Sequence, residues 1–264
     1  MSQASAAAFD PWGPIEGVLR DNNDADLTSS AFSHAGLMLP PATGDAAYSH
    51  KTRNRFYLGA ARGVYEALDE HRRQQLLVNI AAYLKERRPE WVTILDASLR
   101  RIGWMLVGDA IIPLELLDPH ELASVPERAR QDLIKAAARL ATDPAGAITA
   151  ACGAIDSVTA DIYDRHGLGA VPISFEERVS TALRAVGVLD RLRTQLIDLG
   201  WEQRKAEELV ERLRQAINHN SFIMATLRSR MGDAHGSKPT VDALVFSSVK
   251  WAAIISSIFT ERDE

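Results

Sequence analysis

Cysteine is almost absent: Cys152 is the single thiol in 264 residues. That excludes an intramolecular disulfide and any multi-cysteine metal site, and it suits a reducing cytoplasm. Also lacking is an N-terminal segment joining a basic flank, an apolar stretch and a small-residue cleavage site, so the expected location is cytoplasmic, without secretion. No uninterrupted apolar run reaches the length of a bilayer span. The longest stretch, Ile102 to Leu117, is broken by Asp109, Pro113 and Glu115, and its expected form is a buried helix, with no membrane contact. Positive charge is not in excess either. The 30 Lys and Arg against 35 Asp and Glu leave a net charge of −5, which argues against a surface built throughout to grip nucleic acid while leaving room for a local basic cleft. Period-two alternation is missing from the second half of the chain, which argues against a sheet there.

What the chain does have is the composition of a folded globular protein, 46% hydrophobic and 25% charged, at a length that accommodates one large domain or two modest ones. Residues 1–50 read as a largely irregular N-terminal segment, with a short helix over Trp12 to Leu19 and loop around Leu39-Pro40-Pro41-Ala42-Thr43-Gly44. Residues 51–142 read as a helical module of unknown role. Phe56, Ala60, Val64 and Leu68 form one stripe; Leu76, Leu77, Ile80, Tyr83 and Leu84 form a second. Trp91, Ile94, Leu95, Leu99, Ile102 and Leu106 form a third, and Glu127 to Ala141 a further amphipathic helix.

Residues 143–264 read as a helix bundle, bounded by Thr142-Asp143-Pro144, where aspartate is a good N-cap and proline suits the first helical position. The first helix of this part would bury Ile148, Cys152, Ile155, Val158 and Ile162 and close at His166-Gly167. Ser174-Phe175-Glu176-Glu177 has capping-box spacing and opens a helix that ends at Gly187; another runs from Asp190 to Leu199. Leu209, Leu213, Ile217, Met224 and Leu227 mark a long helix. Val241, Leu244, Ser248, Trp251, Ile255 and Phe259 mark the last one. The fold class expected is all-α.

The chemistry-bearing segment joins these last two helices: Leu227-Arg228-Ser229-Arg230-Met231-Gly232-Asp233-Ala234-His235-Gly236. Arg228 and His235, with six residues between them, are a permanent cation with planar donors and a group that moves protons near neutral pH. Such a pair is suited to cleave RNA without a metal or other cofactor. The ribose 2′-hydroxyl attacks the adjacent phosphorus, the histidine moves a proton, and the cation stabilises the phosphorane-like charge. Spacing alone favours a blander account: Arg228 complements the helix dipole and His235 is a hydrogen-bonded turn residue. Cys152 reads as a small buried apolar residue, and His166 and His219 as a helix-end cap and a surface or interhelical polar group.

The decapeptide resembles the "LRN-x-x-GDAHG" signature of the abortive-infection protein C-terminal domain, a branch of the HEPN superfamily. Asp143-Pro144-Ala145-Gly146-Ala147-Ile148-Thr149-Ala150-Ala151 is similar to the "DPEGAITAAR" opening of that domain, and Val241 to Thr260 resembles its closing apolar helix. The resemblance covers about the last 120 residues in the same order. It implies a HEPN-like helix bundle acting as a homodimer, with two Arg-His motifs facing each other across a cleft. It also implies an antiphage effector that cleaves or binds RNA, with a regulatory partner protein as a further expectation. Carried onto this chain, Arg228 is the phosphate-stabilising cation and His235 the proton-transfer residue. Ser229 stands where the signature has asparagine, and its shorter side chain makes fewer hydrogen bonds. Arg230 offers a second Arg-His spacing; alignment to the signature selects Arg228. Asp156 falls where an acidic residue often sits on the first helix, either orienting Arg228 or His235 or forming a salt bridge, and Asp233 stabilises the turn. The alternative from a different class is a non-catalytic HEPN-like module that binds RNA or a protein, or only dimerises.

One basic stretch lies outside this domain, Lys51-Thr52-Arg53-Asn54-Arg55-Phe56-Tyr57. The favoured reading is a helix start with Phe56 packed inward and the arginines solvated; RNA contact is the less favoured one.

Overall fold

The computed structural model describes residues 10–44, 49–107, 110–140, 143–232 and 239–260. Among them lie twelve α-helices and one two-stranded hairpin, so the chain is all-α in class. It divides into two compact units, one ending at Leu114 and one beginning at Glu115.

The first unit contains α1 (Trp12–Asp21), α2 (Ala25–His34), α3 (His50–Glu66), α4 (Glu70–Arg87), α5 (Pro89–Arg101), β1 (Trp104–Val107) and β2 (Ala110–Pro113). Its core joins Ile15, Leu19, Phe32, Leu77, Ile80, Leu95 and Leu99, with Trp12 stacked on Phe32 and tilted against Tyr65. Two of the buried aromatics have satisfied polar tips: Trp12 Nε1 donates to Glu16, and the Tyr65 hydroxyl donates to Asp10 at 2.6 Å. In the N-terminal segment expected to be largely irregular, the described residues 10–44 hold the short helix expected from Trp12, a second helix that was not expected, and then loop. The second helix, α2, is capped by the Asp24 carboxylate, which accepts from the Leu27 N–H.

Ile102 to Leu117 is also not a helix. Gly103, at φ +83°, ends α5 in a left-handed conformation that a side chain would oppose, and the run folds back as an antiparallel pair with Met105 opposite Ile112 and Leu106 opposite Ile111. Leu106 therefore sits on β1, not on the α5 stripe. A short apolar run lacks the periodicity that would tell helix from strand. The inward face of α3 is Asn54, Leu58, Ala61 and Tyr65, one or two positions off the expected stripe; Val64 is exposed and Phe56 half-buried. The buried Asn54 amide donates to the Leu19 carbonyl at 2.9 Å, which lets a polar residue join the inward face. Arg53 pairs with Asp26 at 3.0 Å.

The second unit contains α6 (Pro119–Ser124), α7 (Glu127–Arg139), α8 (Pro144–His166), α9 (Phe175–Val186), α10 (Val188–Asp198), α11 (Gln203–Met231) and α12 (Asp242–Thr260). Helix α8 is the axis of this unit, contacting α7, α9, α11 and α12. Its small residues Ala147, Ala150, Ala151 and Ala154 let neighbours approach, and Ile148, Ile155, Val158 and Ile162 are fully buried among them. The expected boundary at Asp143 marks a helix start inside this unit, not its edge, because α7 lies along α8 in the most extensive pairing of the chain. Asp143 caps α8 by accepting from the Gly146 N–H at 2.9 Å, and Gly167, at φ +60°, closes it. Ser174 caps α9 through the Glu177 N–H. Helix α12 has 19 residues and a mean hydropathy of 1.6, long and apolar enough on those grounds to cross a bilayer. Here it packs on α8, burying Val245, Val249, Ala252, Ile255 and Phe259, while Leu244 and Trp251 are half-buried.

Candidate functional site

The site grows from the face that α8 turns toward α11. Thr149, Cys152 and Asp156 recur at helical spacing and so share that face. The Cys152 thiol approaches the Met224 carbonyl at 3.7 Å. Gly232 ends α11, donating its N–H to the Arg228 carbonyl at 3.1 Å. A Cβ on Gly232 would stand 2.5 Å from that carbonyl oxygen and 3.0 Å from Thr149 Oγ1, so the glycine is required by close approach and not by its φ of −69°. The motif glycine thus closes the last turn of α11 against the first turns of α8.

Arg228 lies in that last turn. Its guanidinium donates to Asp156 Oδ2 at 2.7 Å, a charge-assisted bond across 72 residues of sequence. Asp156 thus forms an interhelical salt bridge, and one of its partners is the motif arginine. The other carboxylate oxygen, Oδ1, is met at 2.8 Å by Arg178 from α9, as an ion pair without hydrogen-bond geometry; Nε of Arg178 is buried and finds no acceptor among the described residues. The three side chains are graded in exposure: Arg178 19%, Asp156 26% and Arg228 38%. Arg230, two residues on and about 200° around the helix, is exposed, as is Ser229. Of the two motif arginines, Arg228 is the one turned to α8.

Burial pushes the Cys152 thiol up to about 12; Arg228 pulls the other way and Asp156 adds to the rise. A thiol so protonated is no nucleophile. His166 and His219 are exposed at the end of α8 and along α11. Asp233, His235 and Gly236 lie outside the described residues, so the geometry of the site is that of Arg228, Ser229, Arg230, Gly232 and Asp156.

Arg178 is the functional candidate that sequence reasoning missed. Its signal was a cation on an apolar stripe: Phe175, Val179 and Ala182 form the buried face of α9, and Arg178 falls among them with its guanidinium 5.6 Å from the Phe175 ring. The mixed charges earlier in α11 behave as a solvated face. Arg214 pairs with Glu211 at 2.7 Å and holds that carboxyl below its usual range, and Lys205 pairs with Glu202 at 3.7 Å. A separate cleft between α9, α10 and α11 is lined by Arg184, Arg193, Glu207, Glu211 and Arg214, opposed charges that offer no single preference to a ligand. No protein-family model, curated protein or solved structure matches the chain.

Proposed function

We propose that the protein is an antiphage abortive-infection effector of the HEPN kind: a cytoplasmic, homodimeric endoribonuclease that uses Arg228 and His235 and needs no metal or other cofactor. The observation that carries this reading is the placement of Arg228. The motif arginine is fixed by Asp156 at 2.7 Å yet keeps 38% of its side chain exposed, as a cation meant to meet a phosphate should be. In the proposed reaction the 2′-oxygen bonds to phosphorus and the bond from phosphorus to O5′ breaks. One histidine takes the 2′-hydroxyl proton, and a second, supplied by the other protomer, delivers a proton to O5′. The products are a 2′,3′-cyclic phosphate and a 5′-hydroxyl. Asp156 positions Arg228, and Ser229 offers one hydroxyl where the related signature has an amide.

Expression in bacteria tests this reading. Wild type is expected to arrest growth, and His235→Ala and Arg228→Ala to grow normally. Equal growth of all three would contradict it. A non-catalytic module that binds RNA or a protein is the second reading, favoured by Ser229 and by the Arg228–Asp156 bridge, which also serves as an interhelical clamp.

A further inference from the structure

We infer that Arg178 is a second phosphate-binding cation beside Arg228, so that the ligand of this cluster is a phosphodiester of single-stranded RNA held by two guanidiniums. The inference rests on the RNA reading above and adds a residue that reading does not contain.

Arg178 and Arg228 come from different helices, yet each meets a different oxygen of one carboxylate, at 2.8 and 2.7 Å. Asp156 therefore sets the two guanidiniums side by side, within the span of a single small anion. It also leaves Arg178 incompletely bonded, because the contact lacks hydrogen-bond geometry and the Nε–H has no acceptor among the described residues. At 19% exposure water screens this charge weakly, so an added anion is worth more here than on an open surface. The Phe175 ring 5.6 Å from the guanidinium restricts where Arg178 can swing. A phosphodiester brings one negative charge and two non-bridging oxygens, the number of acceptors that two guanidinium forks divide between them. Cys152, on the same face, stays protonated and adds no competing charge.

The test uses the full chain carrying His235→Ala, which leaves RNA intact, and a fluorescent single-stranded RNA oligonucleotide in EDTA. Anisotropy titrations across a range of salt give the slope of log affinity against log salt. Arg178→Gln is expected to weaken binding about tenfold and to reduce the slope by about 0.7, one phosphate contact on a single strand. Arg178→Lys keeps the charge, so the slope should stay and part of the affinity return, a pattern that a purely structural arginine would not produce. Arg193→Gln, whose parent arginine pairs with Asp190 on α10, should leave the slope unchanged.

An unchanged slope in Arg178→Gln overturns the inference, as does absence of RNA binding by the His235→Ala chain. Displacement of the oligonucleotide by inorganic phosphate at matched concentration would overturn the assignment to a polymer. RNA cleavage by the wild-type chain with no Arg178 dependence of binding sinks this inference alone. Arg178-dependent binding with no cleavage sinks the nuclease reading alone.

Discussion

Asp156 holds two arginines from two helices, and the residues around it explain why this corner of the protein is sensitive to small changes. Gly232 cannot carry a side chain without pressing on the Arg228 carbonyl and Thr149. Gly232→Ala is therefore expected to destabilise by about 1–3 kcal/mol, lowering Tm by about 2–4 °C for each kcal/mol. Gly63 on α3 is the internal comparison. It is exposed, with nothing within 4 Å of the methyl group that alanine would add, so Gly63→Ala should raise stability by about 0.5–1 kcal/mol. Thermal melts of both variants check the pair of signs. Cys152 gives a test with a pH axis. Alkylation needs the thiolate, and burial moves the thiol from 9.0 up to about 12, so more proton is retained at every pH between those values. The folded protein should resist iodoacetamide at pH 9–10, where an ordinary cysteine reacts, and should be labelled once unfolded in urea. Part of this corner was legible in the sequence. The motif and the helix position singled out Arg228 and Asp156 but left the partner of Asp156 open between Arg228, His235 and an ordinary salt bridge, and Arg178 was hidden because a single stripe residue does not announce its partner on another helix.

Helix ends were the most readable elements, because their chemistry is local. Asp143 and Ser174 cap α8 and α9 as their spacing predicts, and Gly167 and Gly187 close them at φ +60° and +68°. Asp143→Ala is expected to cost about 1 kcal/mol of unfolding free energy, read from urea denaturation, with the slope against denaturant unchanged. Elements decided by tertiary packing were harder to foresee. Helix α2 has a sequence rich in Ser, Thr and other weak helix formers, Ala25-Asp26-Leu27-Thr28-Ser29-Ser30-Ala31-Phe32-Ser33-His34, and only burial of Phe32 and Ala31 in the core commits it to a helix. The Ile102 to Leu117 run failed for the opposite reason: it is apolar on both faces, so periodicity carries no information, and Gly103 decides the outcome. In α3 the hydrophobic stripe misled by one or two positions, and the inward face includes Asn54, buried through its bond to the Leu19 carbonyl. The first half of α11 is largely exposed, with Leu209 and Leu213 only partly covered, although its periodicity matches that of the buried second half.

At the scale of the whole chain, the all-α class was plain from composition and periodicity, but the division into units was not. A proline-led helix start at Asp143 looks like a domain edge, yet α7 supplies the longest flank of α8. A fragment of residues 115–264 is therefore expected to give a cooperative helical melt by circular dichroism, and one of residues 143–264 to lose it, since removing α7 uncovers the face of α8 that carries Gly153 and Ser157, where Asp132 of α7 approaches. The site lies within this second unit, where α8, α9 and α11 bring Asp156, Arg178 and Arg228 together. The measurement that bears most directly on the account is RNA cleavage by purified protein in EDTA, with wild type beside His235→Ala and Arg228→Ala. The account predicts fragments ending in 2′,3′-cyclic phosphate from the wild type and a rate lower by about 100-fold or more in each variant. Absence of cleavage by the wild type, or equal cleavage by all three, would contradict it.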